Sequence, residues 1–264
     1  MVDCSSPLLV ELRQGVLILS NNGHPWNSMS FEYMDALESE IDRAADDPSV
    51  RALVITSEGL TNFSVGMDLR QLVQHADSRG GAEAVLDQRL RVLSKIEQLL
   101  KPSVVTLFGY CLGGGLELPL ACHFRLAAET GAQIGLPELD LGTVPAWGGT
   151  ARLTRCIGRD RALDMILRAR KIDGPEALRM GLVHSVHPLE ELKAAAIGLA
   201  TELAQRPSPS VAGVLRCVVG AEHLPLDEAL LIERQAVLAC AASGNQAEGL
   251  RAFVEKRAPR FPVP

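Results

Sequence analysis

Residues 109–122 read GYCLGGGLELPLAC. Two chemistries compete for this stretch. With Cys111 at its centre, the run from Gly109 to Gly113 fits the sharp strand-to-helix turn that exposes a nucleophile. The run Gly113, Gly114, Gly115, Leu116, Glu117 instead fits a glycine turn aimed at an anion, with a carboxylate on the first helical turn. The first amides of a helix have no partner inside it, and the helix dipole makes that end partly positive. Glycines there let an oxygen reach the backbone, either of a phosphate or of a carbonyl that becomes an oxyanion. The chain contains no G-x-x-x-x-G-K-[ST] and no G-x-G-x-x-G with a following acid, which disfavours a nucleotide phosphate loop.

Outward from this turn, strands alternate with amphipathic helices. Residues 103–108 (SVVTLF) predict the strand that feeds the turn, and residues 15–20, 51–57 and 124–128 predict three more. Phe31, Met34, Leu37, Ile41 and Ala44 keep helical spacing over 31–45, with Ser28 or Ser30 as the cap. Over 84–100, Leu86, Leu90, Leu93, Ile96 and Leu100 mark one helix face, widened by Val85, Val92 and Leu99. Lys101-Pro102 ends that helix. Connections of this length require parallel pairing, so the class is α/β. After about residue 148 the pattern turns helical, with candidates at 189–206, 210–222, 226–242 and 247–256. The division expected is an α/β core over 1–195 carrying the site and a helical region over 196–264, with Pro207-Ser208-Pro209 as the best internal break.

Of the 264 residues, 47% are hydrophobic and 22% charged, enough for a sizeable core. A net charge of −6 offers no broad attraction to nucleic acid or an anionic membrane. Residues 1–15 have no basic segment of signal-peptide type, and the apolar stretch 102–122 is broken by four glycines and Glu117, so a cytoplasmic location is expected. The cysteines at 4, 111, 122, 156, 217 and 240 form no C-x-x-C and read as reduced thiols. The six histidines show no metal spacing, and no metal is expected.

Taken alone, Glu117 is a partner for the helix dipole, and Glu138, 21 residues on, is a turn acid. In an apolar cleft either would have a raised pKa and move protons near neutral pH. Four ordered pieces change their weight. Phe63-Ser-Val-Gly-Met-Asp-Leu69 resembles F-x-x-G-x-D-[LI] of the crotonase (enoyl-CoA hydratase/isomerase) superfamily. The segment 109–118 resembles its G-x-x-x-G-G-G-x-E-L. Residues 133–138, 141–145 and 148–153, which include Leu136-Pro-Glu138 and Gly148-Gly-Thr-Ala-Arg-Leu153, resemble its most distinctive block, and 253–257 its last helix.

The resemblance implies a core of repeated ββα units and a helical C-terminal region that packs subunits into trimers or hexamers. It implies an acyl-CoA substrate, with coenzyme A arriving as part of that substrate and no separate cofactor. The backbone amides of Met67 and Gly114 map to the oxyanion hole, and Glu117 and Glu138 to the acids of the hydratases. Glu138 then delivers the proton to Cα, and Glu117 activates water for attack on Cβ of a trans-2-enoyl-CoA, giving a 3-hydroxyacyl-CoA. Enoyl-CoA isomerisation and acyl-CoA hydrolysis occur on the same fold, but isomerases often keep one acid where this chain has both. Some relatives bind RNA, which the acidic charge disfavours. Ser64, Gly66, Met67, Asp68, Leu69 and Arg70 resemble the CoA path, and Phe253 and Lys256 the residues that complete it. Lys256 is equally a solvated helix end.

Two residues depart from the pattern. Trp147 stands where many relatives have small residues and is expected to shape the acyl pocket. Pro119 lies inside the glycine helix and removes an amide donor. The nucleophile reading also matches the cysteine elbow of dienelactone hydrolases, with Asp164, Asp173, His184, His187 and His223 downstream. It leaves the 63–69, 137–138 and 148–153 segments unexplained.

Overall fold

The computed structural model describes residues 6–261. Strands β1 (Leu8–Arg13), β2 (Val16–Asn21), β3 (Ala52–Ser57), β4 (Ser103–Leu107), β6 (Phe124–Ala128) and β8 (Ser185–His187) form one sheet in the order β1-β2-β3-β4-β6-β8. Only the β1–β2 pair is antiparallel. Strands β2, β3 and β4 are buried at every residue, so they read as continuous apolar runs and not as alternation. Strands β5 (Tyr110–Leu112) and β7 (Gln133–Gly135) form a separate parallel pair.

Helix α1 (Phe31–Asp46) is capped by Ser30, whose hydroxyl accepts the Tyr33 N–H at 3.1 Å. Helix α2 (Leu69–His75) is capped by Asp68, and α3 (Gly81–Glu97) packs on α1 and on α4 (Gly114–Ala121). Helices α5 (Gly149–Ile157), α6 (Arg159–Leu167) and α7 (Gly174–Met180) follow, then α8 (Leu189–Ala204), which lies against β3, β4 and β6. It runs through position 195. Beyond it stand α9 (Ser208–Leu215), a π-helical turn over Arg216–Gly220, α10 (Leu226–Ala242) and α11 (Asn245–Val254).

The buried stripe of α3 differs from the expected one. It consists of Val85, Arg89, Val92, Leu93 and Ile96, while Leu90 is exposed. An arginine occupies the centre of an otherwise apolar face, which displaced the periodic reading towards Leu86 and Leu90. The turn between β4 and α4 positions the candidate site. Ser64 bridges to Cys111 and Met29 to Met67, so residues 63–67 are held beside β5 and the start of α4.

Candidate active site

Met67 and Gly114 meet at one end of a cavity of about 270 Å³ whose walls also include Glu117, Glu138, Leu112 and Trp147. Gly66 has φ +92°, and a Cβ there would lie 2.6 Å from the Leu112 carbonyl oxygen and 3.2 Å from the Gly114 nitrogen. Glycine therefore lets the 66–67 turn lie against the first amide of α4. Among the described residues, neither the Met67 nor the Gly114 N–H donates to a protein acceptor. Two unpartnered backbone donors at one end of an apolar cavity suit a single oxygen that gains charge.

Glu117 is buried on α4. Its Oε1 accepts from the main-chain N–H of Trp147 at 2.7 Å and of Gly149 at 2.9 Å. Burial pushes its pKa up to about 7; the Gly149 amide opposes this and the nearby Glu138 adds to it. Glu138 follows Pro137 at the start of a short 3-10 turn (Glu138–Leu141), half-buried. Its Oε2 is buried with no protein partner, and burial raises its pKa as well. The cavity thus holds two carboxyls whose burial favours the protonated form.

The loop that carries Trp147 is fixed from outside. Arg152 donates Nη1–H to the Trp147 carbonyl at 2.8 Å, while its Nε and Nη2 grip Glu97 at 3.0 and 2.8 Å. Trp147 is buried and its benzo edge covers Gly114, where an added Cβ would come 2.4 Å from Cζ3.

The structure does not gather every residue expected along the CoA path. Gly66, Met67 and Leu69 line the cavity. Ser64 is fully buried, and its hydroxyl accepts the Gly66 N–H at 3.0 Å. Asp68 caps α2, and Arg70 is exposed on its first turn. Phe253 and Lys256, on and just after α11, are exposed and do not line the cavity. Leu72 lines it without any signal in the sequence beyond its apolar character, while Leu141, Thr143 and Val144 line it from within the 141–145 segment of the family resemblance.

Cys111 lies on β5, fully buried, with its Sγ directed at the carbonyls of Phe108 and Gly109. Burial raises the pKa of its thiol far above the usual range. It is a small core residue, not an exposed nucleophile.

Two unpartnered amides beside two carboxyls of raised pKa suit the stabilisation of an enolate with proton movement next to it. The enoyl-CoA hydratase/isomerase family model matches residues 12–263, and the chain belongs to that family. It is an enzyme of the enoyl-CoA hydratase kind, with acyl-CoA substrates. It is 35% identical over 255 residues to a probable enoyl-CoA hydratase of Mycobacterium tuberculosis (strain CDC 1551 / Oshkosh), covering 96% of this chain and 97% of the other. It is 32% identical over 257 residues to the 2,3-dehydroadipyl-CoA hydratase of Escherichia coli (strain K12), covering 97% and 98%. The crystal structure of an enoyl-CoA hydratase from Geobacillus kaustophilus HTA426 superposes with a TM-score of 0.93 at 31% identity, covering 98% of each chain.

Proposed function

We propose that the enzyme adds water across the double bond of a trans-2-enoyl-CoA through Met67, Gly114, Glu117 and Glu138. The thioester oxygen accepts from the Met67 and Gly114 amides, and its growing charge in the transition state strengthens both hydrogen bonds. Glu117, oriented through Oε1 by two amides, takes a proton from water as the water oxygen bonds to Cβ. Glu138 gives its proton to Cα, completing a 3-hydroxyacyl-CoA. The observation that carries this reading is the pairing of two unpartnered amides with two carboxyls of raised pKa in one cavity. In this reading no separate cofactor takes part, because coenzyme A enters with the substrate.

The same reading makes the working form a cytoplasmic homotrimer or a dimer of trimers. Its support is α10, which buries none of its residues within the chain although Leu226, Leu230, Leu231 and Val237 are exposed on it. An apolar groove of about 630 Å³ runs alongside α9, α10 and α11. Such a surface calls for a partner. Phe253 is 83% exposed on the same region and is available to complete a neighbouring subunit's CoA site.

The test is incubation of the purified protein with crotonyl-CoA and longer trans-2-enoyl-CoAs, following loss of the conjugated thioester and release of free thiol in parallel. Loss of conjugation without thiol release is expected, abolished by Glu138→Gln. Thiol release in step with substrate loss would replace hydration by thioester hydrolysis.

A further inference from the structure

Arg89 is the largest fully buried side chain of the described residues, at 0% exposure. Its guanidinium faces the Phe31 ring at 5.5 Å and the Trp147 ring at 5.7 Å. Nη1 donates to Oε1 of Gln88. Among the described residues, Nε and Nη2 have no partner. These two nitrogens share one edge of the guanidinium, and their N–H bonds point the same way. That edge grips a carboxylate with two parallel hydrogen bonds.

Among the described residues, no carboxylate occupies that edge. Asp35 accepts from Arg79 at 2.7 Å and from Gln88 at 2.7 Å. Glu38 is held by Arg91 at 2.7 Å and Lys95 at 3.0 Å, and Glu32 by Gln71 at 2.8 Å. A buried charge with open donors is destabilising unless a partner completes it. Trp147 separates this edge from the cavity, since the indole both lines the cavity and carries Arg89 against its ring. Reaching that edge from the cavity requires the Trp147 side chain to rotate aside.

We propose that Arg89 is a specificity-determining residue that receives a carboxylate at the far end of the acyl group, so that the preferred substrates are CoA thioesters of dicarboxylic acids. The proposal rests on the acyl-CoA reading of the cavity. The thioester oxygen is held at the Met67 and Gly114 end, the reacting carbons lie between the two glutamates, and the distal carboxylate passes Trp147 to the open guanidinium edge. Phe31 and Gln88 hold the receptor in place before the ligand arrives, which reduces the ordering cost of binding.

The experiment measures calorimetric affinities of saturated pairs matched in carbon number: succinyl-CoA with butanoyl-CoA, glutaryl-CoA with pentanoyl-CoA, and adipyl-CoA with hexanoyl-CoA. None carries a double bond, so binding is read without turnover. For at least one pair the wild type is expected to prefer the carboxylate-ended thioester by tenfold or more. Arg89→Met is expected to reduce that ratio by about a hundredfold, the scale of a lost charged hydrogen-bond pair. Arg89→Lys, which keeps the charge and loses the two-pronged edge, is expected to retain part of the ratio, and it serves if the Met variant does not fold. Equal affinity within every pair in the wild type overturns the proposal and leaves the acyl-CoA reading standing. A ratio unchanged in both variants also overturns it, and makes Arg89 only a support for Trp147. Failure of every thioester to bind overturns the acyl-CoA reading, and the proposal with it.

Discussion

The main-chain N–H of Trp147 donates to Glu117 Oε1 at 2.7 Å, while the indole of the same residue covers the Cα of Gly114. One residue thus orients a candidate acid and walls in a candidate oxyanion donor. Arg152, anchored to Glu97, donates to the Trp147 carbonyl and so holds the next peptide unit. The acid, the amide and the indole form one connected assembly at the start of α4.

Gly114→Ala is expected to disturb this assembly. Its methyl would fall 2.4 Å from Trp147 Cζ3, so the indole or the helix start must move. Overpacking of this kind destabilises by about 1–3 kcal/mol. Loss of one aligned oxyanion donor lowers kcat by roughly 10²-fold. Thermal unfolding and kcat on an enoyl-CoA measure both. An alanine variant as active and stable as the wild type would contradict the shared wall.

Glu117 makes stability depend on pH in a defined direction. Its folded pKa, about 7, lies above the ordinary 4.5, so the native state holds the proton more tightly than the unfolded chain. The stabilisation is fully present below the unfolded pKa of 4.5 and is lost as pH rises through the folded value of about 7. Its size is on the order of 3 kcal/mol. Glu117→Gln has no proton to lose. Relative to the wild type, the variant should therefore gain stability in urea unfolding as pH rises from about 5 to about 8. A difference between the two proteins that is flat across this window would contradict the raised value.

The helical C-terminal face predicts an assembly. Size-exclusion chromatography with light scattering is expected to give three or six times the chain mass of 28.3 kDa. Leu230→Glu places a charge on the exposed apolar face of α10 and is expected to lower the assembled fraction. A monomeric wild type would contradict the trimeric reading.

Cys111 predicts inertness. Incubation with a thioester that carries an electrophile, followed by intact-mass and peptide analysis, is expected to leave Cys111 unmodified because it is fully buried. A Cys111 adduct would restore the nucleophile reading of residues 109–113.

The site core was legible because its chemistry is written in short, ordered segments. Gly113, Gly114 and Glu117, the Pro137-Glu138 pair, and Val65, Gly66, Met67 and Leu69 from the 63–69 segment line one cavity. The strands were legible where burial is complete, as in β2, β3 and β4. Strand β1 escaped notice because four of its six residues are exposed at a sheet edge, which leaves no apolar run. Strands β5, β7 and β8 are three residues each, too short for a period to show. Arg89 escaped because a charge inside an apolar stripe reads as the stripe's boundary. Its place four residues after Val85 and three before Val92 was the available signal. The roles of Ser64 and Asp68 as a turn acceptor and a helix cap depend on local geometry that motif matching does not carry.

The most direct test of the central claim compares enoyl-CoA hydration by the wild type, Glu117→Gln, Glu138→Gln and the double variant. If the two carboxyls share one proton-transfer event, each single variant loses about 10³-fold or more in kcat, and the double variant is scarcely worse than either single one. Losses that multiply in the double variant, or a single variant that keeps wild-type kcat, would contradict a paired mechanism.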